Sequence, residues 1–404
     1  MRIIFITLKL DIVVGGGANR GLDIKLRSLQ ELGHDVRLIT LFPELNRLPA
    51  EGVPYPIEEA PAKNRAFPAL QQHVVELLKQ NESRADIYHI DGATCLWAGG
   101  MYRMEGGRVP TVVYLPTYME ALNLLTPESP DITKGIVPWL HFHFIINLQW
   151  LKHWSWAKFV GLKYARRLDA IFADSPVLGE NYARFGFPKN RIFVMPEFID
   201  SSRFHIDTIH GGPIPTAFGA ERPLHLLHAG RLLRMKGVDL LIRAVAGLRR
   251  SGRNTIVTVL GDGPQRERLE RLVKELNVED GVVFAPWKEE GDLAPAYAAC
   301  DAFVHSCRFP EPFGRTILEA LFFGRPIVTT IGSGSAWVAG DAGIATTMGS
   351  AEDLECGLAN LYDHPEKLAT MSAAAASRVS YFTHRTWTKN LADHLTSLVS
   401  PSTR

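Results

Sequence analysis

Along the whole chain, short apolar runs alternate with segments whose apolar positions recur every three or four residues. Residues 2–7 read as a strand buried on both faces. Leu22, Leu26, Leu29 and Leu32 follow at helical spacing and stop at Gly33, and Val36–Thr40 is again a strand. The same alternation predicts a helix over 69–80 and strands over Asp86–Ile90, Val109–Leu115 and Asp169–Ser175, with a helix, a turn and a strand between Asn181 and Met195. A Gly/Pro-rich polar stretch, 205–222, reads as a linker. Beyond it come strands Leu224–Ala229, Thr255–Leu260, Val282–Phe284, Ala302–His305 and Ile327–Thr330, a helix from Val238 to about Arg249, and helical patterns at 352–361, 365–378 and Tyr381–Leu398. Strands apolar on both faces and separated by helices predict an α/β protein with parallel, doubly wound sheets. A chain of 404 residues is too long for one ordinary core. The expected division is 1–200, 201–380 and a last helix over 381–404.

Composition narrows the function classes. The formal net charge of +1 gives no overall attraction to nucleic acid, and no nucleic-acid-binding motif is present. The cysteines Cys95, Cys300, Cys307 and Cys356 form no C-x-x-C pair and show no metal-ligand spacing, so a reduced compartment and no metal are expected. The opening Met1-Arg-Ile-Ile-Phe-Ile-Thr reads as a strand rather than a signal peptide, and no stretch offers 18 uncharged apolar residues, so a cytoplasmic protein is expected.

The candidate chemistry centres on Glu311-Pro-Phe-Gly-Arg-Thr-Ile-Leu-Glu319-Ala-Leu-Phe-Phe-Gly324-Arg-Pro326. Glu311 lies in a Pro/Gly loop. Glu319 lies on a predicted helix that begins near Gly314 and ends at Gly324, with Ile317, Leu318, Leu321 and Phe322 toward a core. The free N–H groups at a helix start suit a phosphate. A loop acid, a helix acid and an anion-binding helix start can together hold an anionic, hydroxyl-rich ligand. Upstream, Gly230-Arg231 and Lys236-Gly237 present a forked donor and a mobile point charge, suited to a diphosphate. The glycines of Gly15-Gly16-Gly17 and Gly261-Asp262-Gly263 allow close approach to a backbone, although GGG is not the dinucleotide fingerprint. Asp262 either lines a pocket or caps a helix starting at Pro264. His89, Asp91 and Gly92 end a strand, where ligands bind in open α/β sheets.

The run E-P-F-G-x4-E-A-x3-G-x-P resembles the signature of family 4 retaining glycosyltransferases, and G-R-x4-K-G and G-D-G-P resemble further motifs of that family. The strand Asp169–Ser175 and the segment Pro196-Glu197-Phe198-Ile199-Asp200 with Phe204 are also similar, with Glu197 where the family has Asn. The resemblance implies the GT-B fold, two Rossmann-like domains facing across a cleft, with the last helix crossing back to the first. It implies transfer of a sugar from a UDP-, GDP- or ADP-linked donor to a glycan or lipid-linked acceptor, in polysaccharide, lipopolysaccharide or glycolipid synthesis, without a metal. Arg231 and Lys236 would stabilise the departing diphosphate, helped by the helix start at Gly314, Arg315 and Thr316. Glu319 would accept the ribose hydroxyls. Glu311, with the backbone N–H groups of Phe313 and Gly314 beside it, would hold the transferred sugar or act as a nucleophile. The positioning role fits the family's front-face mechanism. Gly16, Gly17, Gly261 and Gly263 would line the donor site, and Trp287 or Lys288 would lie near the base.

Two positions depart from the family. Relatives carry a histidine after the strand at Val109–Leu115. This chain has Tyr114, Thr117 and Tyr118 there, which become acceptor-side candidates together with His89 and Asp91. The Glu of the family's G-G-x-x-E is missing after Ile331. A non-catalytic subunit that binds a nucleotide sugar or a glycan is therefore the alternative reading. Residues 132–168 hold no Asp or Glu but six Lys/Arg, with Trp139, Trp150, Trp154 and Trp156. That composition suits either peripheral contact with the inner face of a membrane or a pair of core helices.

Overall fold

The structure is a computed structural model that describes residues 1–13, 17–64, 67–119, 151–152, 154–199, 213–286 and 290–399. Gly15, Gly16, Trp139, Trp150, Trp287, Lys288 and residues 205–212 of the 205–222 stretch lie outside the described residues. The chain forms two compact units. The first is Met1–Pro196 with Trp387–Arg404, and the second is Glu197–Thr386.

The first unit carries seven parallel strands: β1 (Arg2–Thr7), β2 (Asp35–Thr40), β3 (Ile57–Glu59), β4 (Ile87–Asp91), β5 (Thr111–Tyr114), β6 (Ala170–Ala173) and β7 (Ile192–Val194). Their order is β3-β2-β1-β4-β5-β6-β7. The second carries six: β8 (Leu224–Ala229), β9 (Thr255–Leu260), β10 (Val282–Ala285), β11 (Ala302–Val304), β12 (Ile327–Thr330) and β13 (Gly343–Thr346), in the order β10-β9-β8-β11-β12-β13. In both sheets the order reverses once, at β1/β4 and at β8/β11. Loops that leave the carboxyl ends of these strands diverge there and open a ligand crevice.

The double burial predicted from unbroken apolar runs is visible strand by strand. Leu226, Ala302, Val304 and Val328 enter one core of the second unit, whereas Leu227, Phe303 and Ile327 enter another. Alternate residues thus feed opposite faces of one sheet. The Val238–Arg250 helix supplies Leu241, Val245 and Leu248 to the first of these cores, and the Arg315–Phe322 helix supplies Ile317, Leu318 and Leu321 to the second. In the first unit, Leu391, Ala392 and Leu395 of the last helix, His384–Val399, join Ile3, Phe5, Leu26 and Leu38 in one core. The boundary between the units falls at Thr386/Trp387, inside this helix rather than at 380/381.

Several elements carry no clear sequence pattern. Strands β3 and β13 are short, with Ile57 and Ile344 their only large apolar residues. The Leu96–Met104 helix contains Gly99 and Gly100, which read as breakers. Packing explains them: a Cβ at Gly100 would lie 2.0 Å from the Tyr164 carbonyl oxygen, so only glycine lets the Leu162–Ala165 helix come this close.

Candidate functional site

Three loops of the second unit meet at the β8/β11 reversal. The loop after β8 runs from Gly230 through a 3-10 turn, Arg234–Lys236, to Gly237. Gly237 has φ +65°, and a Cβ there would sit 2.0 Å from the Ser306 carbonyl oxygen. That contact leaves no room for a side chain and seats the β8 loop on the loop after β11. Ser306 Oγ donates to the Gly237 carbonyl (3.0 Å), and the Arg308 N–H donates to Met235 O (2.8 Å). The loop after β9 is tied in similarly. The Leu232 N–H donates to Asp262 O (2.8 Å), and a Cβ at Gly261 would lie 1.9 Å from Gly230 O. Gly261 and Gly263, expected to make room for a ligand, are thus already required by contact between loops. Asp262 accepts from the Gly263 N–H (2.7 Å) and does not cap a helix at Pro264, because the helix starts at Arg266.

These loops bring together residues 75 apart in sequence: Lys236 Nζ donates to Glu311 Oε2 at 2.6 Å, and both side chains keep about a fifth of their surface exposed (24% and 20%). Two groups not singled out from the sequence complete the cluster. His305 Nε2 lies 3.6 Å from the same carboxylate oxygen and 3.3 Å from Cys307 Sγ. The Cys307 thiol lies 3.8 Å from Glu311 Oε2. Burial works against charge at Glu311, but Lys236 first and His305 next outweigh it and hold the carboxyl well below its ordinary range. Burial likewise opposes the Lys236 ammonium, and Glu311 outweighs it, so its pKa is raised. His305 is buried, yet Cys307 and Glu311 together hold its ring up at about 9. Around neutral pH, Glu311 is therefore an anion and Lys236 a cation, each keeping the other charged. Arg231, on the same β8 loop, is exposed and makes no side-chain hydrogen bond among the described residues.

The remaining acid is held separately. Glu319 sits within the Arg315–Phe322 helix and accepts from Tyr297 Oη (2.8 Å), whose ring stacks on Phe323 at 5.5 Å. At the start of that helix Arg315 Nη1 donates to Glu197 Oε2 (3.0 Å), and Thr316 is partly exposed. Gly314 has φ +92° and leads into the helix. Phe313 points its ring inward against Trp337 and Phe382, so only its backbone is available to a ligand. Sequence reasoning missed Tyr297, His305 and Cys307. The spacing His305-x-Cys307-x3-Glu311 is visible in the chain, but it matches no familiar ligand pattern and becomes meaningful only once the loop folds back.

Comparisons with known proteins identify the family. Residues 217–378 match the family described as "Glycosyl transferases group 1", and residues 15–203 match "Glycosyltransferase Family 4". The chain belongs to glycosyltransferase family 4. The lipopolysaccharide core biosynthesis glycosyltransferase LpsE of Rhizobium meliloti is 33% identical over 47% of this chain and 53% of its own. The chain thus spans about half the length of that relative. The D-inositol 3-phosphate glycosyltransferase of Pseudarthrobacter chlorophenolicus is 28% identical over 90% of this chain and 87% of its own. HepE of Anabaena, solved in complex with UDP and glucose, superposes with a TM-score of 0.70 at 20% identity over 98% of this chain and 100% of its own. The two Rossmann-like units are those of the GT-B fold.

For this family 4 chain the first unit corrects part of the expectation. His89 is fully buried between the rings of Phe5 (4.4 Å) and Phe172 (6.0 Å), so an acceptor cannot reach it in this conformation. Its period-2 position on β4 turns it into the core, two residues before the strand end. Tyr114 is also buried. Its hydroxyl donates to Asp174, and Lys25 Nζ sits 3.7 Å from its ring centroid. Tyr118 is buried as well. Asp91 and Thr117 are partly exposed at the carboxyl ends of β4 and β5, and Thr117 O accepts from Tyr182 Oη (2.9 Å). Gly17 opens the Gly17–Glu31 helix that follows β1, and Gly16 lies outside the described residues. Within 132–168, Trp156 packs on Trp97, Phe67 and Tyr164, whereas Leu151 and Phe159 are exposed. Among the described residues no helix is long and apolar enough to cross a membrane.

Proposed function

We propose that this protein transfers a hexosyl group, with retention at the anomeric carbon, from a nucleoside-diphosphate sugar to a hydroxyl of a glycan or lipid-linked acceptor in lipopolysaccharide, polysaccharide or glycolipid synthesis. The observation that carries the reading is the Lys236–Glu311 pair at the β8/β11 reversal, with the exposed Arg231 on the same loop. A departing diphosphate accumulates negative charge, and preorganised cations stabilise that charge most in the transition state. Arg231 and Lys236 serve this role. Lys236 turns from Glu311 toward the phosphates when the donor arrives, and Glu311, released from the ammonium, accepts hydrogen bonds from the sugar hydroxyls. Glu319, steadied by Tyr297, accepts the ribose hydroxyls. This division of labour requires no metal. HepE, with UDP and glucose in its structure, supports a UDP-linked donor as the first to try. Peripheral membrane contact through Leu151 and Phe159, on the cytoplasmic side, would bring a lipid-linked acceptor within reach.

The test is thermal stabilisation by a panel of UDP-, GDP- and ADP-sugars, followed by donor hydrolysis. One nucleotide sugar is expected to raise the melting temperature, and Arg231→Ala to abolish the rise. Glu311→Gln is expected to lower turnover by orders of magnitude while the nucleotide still binds; near-normal turnover in that variant removes Glu311 from the mechanism. A second reading, a non-catalytic nucleotide-sugar- or glycan-binding subunit, is favoured by Tyr114–Tyr118 in place of the family's histidine and by the missing Glu after Ile331. It predicts stabilisation by the nucleotide without hydrolysis.

A further inference from the structure

His305 and Cys307, which the proposed transfer reaction does not use, lie with Glu311 in one cluster of side chains able to ligate a metal. We propose that they form a binding site for a thiophilic divalent cation of the Zn²⁺ type, and that a metal held there takes the place of Lys236 on Glu311, keeps that carboxylate from the donor sugar and so closes the donor site. The geometry is the argument. The three donor atoms are separated by 3.3 Å (His305 Nε2 to Cys307 Sγ), 3.6 Å (His305 Nε2 to Glu311 Oε2) and 3.8 Å (Cys307 Sγ to Glu311 Oε2). Zinc bonds of about 2.0–2.1 Å to nitrogen and oxygen and about 2.3 Å to sulfur, at tetrahedral angles, put ligand atoms about 3.3–3.6 Å apart. The trio is therefore spaced as three corners of a zinc tetrahedron, with little movement needed. One imidazole, one thiolate and one carboxylate is also a donor set suited to zinc rather than to magnesium or calcium.

The site is sheltered but reachable. His305 and Cys307 are buried, and Glu311 keeps 20% of its side chain exposed, which provides the entry side. A fourth position is left for water. Lys236 Nζ, 2.6 Å from the ligating Glu311 oxygen, is the obstacle. Two cations cannot share that oxygen at such range, so the cluster has two exclusive states, ammonium-paired and metal-bound. His305 Nδ1 has no hydrogen-bond partner among the described residues, so the ring lacks the outer acceptor that usually strengthens a metal-bound histidine. A competing lysine and an unsupported imidazole make the binding reversible. These are the properties of an inhibitory site and not of a structural zinc.

The metal step stands by itself; its inhibitory consequence rests on the donor-site reading above. The experiment titrates the full chain with Co²⁺ as a spectroscopic stand-in. Expected are one Co²⁺ per chain, a thiolate-to-cobalt charge-transfer band, displacement by Zn²⁺, and protection of Cys307 from alkylation in the unaltered protein, read by peptide mass. Cys307→Ser is expected to abolish the band and Cys356→Ser, which alters the exposed thiol, to leave it. Lys236→Ala is expected to tighten binding at least tenfold, which no adventitious surface site predicts. A band that survives Cys307→Ser, absence of stoichiometric binding, alkylation of Cys307 unaffected by metal, or unchanged affinity in Lys236→Ala overturns the proposal. If the metal binds as described but does not compete with the stabilising nucleotide sugar, the metal site stands and the assignment of Glu311 to the donor sugar fails.

Discussion

Replacing His89 by leucine is expected to stabilise the first unit, and to do so more in acid than at pH 8. The ring is fully buried, stacked on Phe5 at 4.4 Å, and neither nitrogen has a hydrogen-bond partner among the described residues. An unsatisfied buried polar group costs about 1–3 kcal/mol, and the stacking it forgoes on substitution is about 0.5–1.5 kcal/mol. Leucine is close to histidine in volume, so the net gain at pH 8 is about 1 kcal/mol. The pH dependence adds to this. Burial, helped by the charge of Lys25, holds the ring's pKa well below its ordinary value. The folded state therefore keeps His89 neutral while the unfolded chain takes up a proton below pH ~6.5. The stability attached to the neutral ring is complete above that pH and is lost progressively as the pH falls. At pH 5 the loss from this residue alone is about 2 kcal/mol. The variant is spared it, so its advantage grows from about 1 to about 3 kcal/mol. For a unit of this size that is a melting shift of roughly 2–4 °C per kcal/mol. Hydrogen exchange of the β1 and β4 amides, corrected for intrinsic rate, reads the opening of this unit without requiring the other to unfold. His394, whose pKa burial also lowers, is common to both proteins and cancels in the difference. An advantage equal at pH 8 and pH 5, or a variant less stable at pH 8, would refute the reasoning and restore a ligand-facing role for His89.

Three further outcomes are expected. Tyr297→Phe removes the 2.8 Å bond to Glu319 but keeps the stack on Phe323, so it should weaken donor binding several-fold in calorimetry while costing stability only about 1 kcal/mol; unchanged affinity would show that Glu319 needs no steadying. Gly237→Ala places a Cβ 2.0 Å from Ser306 O at a φ of +65°, and should lower the denaturant midpoint of the second unit by an amount equivalent to at least about 2 kcal/mol, with the donor response lost as Lys236 is displaced. Asp301→Asn weakens a buried carboxylate that takes both Arg222 nitrogens (2.7 and 3.2 Å) and the His225 N–H (2.8 Å), and should cost about 2 kcal/mol without changing nucleotide affinity; a matching loss of affinity would contradict its purely structural placement.

The sheets were legible in the sequence because strands buried on both faces leave unbroken apolar runs, as at Leu224–Ala229 and Thr255–Leu260. Strands β3 and β13 were not, since a short strand needs little apolar sequence when its neighbour supplies the hydrogen bonds. Gly100 shows a related limit: what would read locally as a helix breaker is demanded by the Tyr164 carbonyl opposite. His89 shows the limit for sites. Its position near a strand end was readable, but which face it took, and that two aromatic rings enclose it, depended on the packing of β1 and β6.

The acid–cation cluster marks the same boundary from the functional side. Glu311 and Lys236 each announce themselves through the glycines and proline around them, because those backbones must turn sharply and touch. Nothing in either motif says that the lysine sits on the glutamate, which is a consequence of Gly237 meeting Ser306. That contact changes the chemistry. A lone Lys236 would offer its full charge to an arriving phosphate, whereas this one must leave a carboxylate it already neutralises. On the proposed donor-site reading, donor binding is then an exchange of partners: the diphosphate takes the ammonium, and the freed Glu311 anion gains the sugar hydroxyls. The exchange favours ligands that bring both groups. A bare nucleotide supplies the phosphate but leaves Glu311 without its counter-charge, and a bare sugar supplies hydroxyls but cannot displace the lysine. On that reading, selectivity for an intact nucleotide sugar follows from the pair itself.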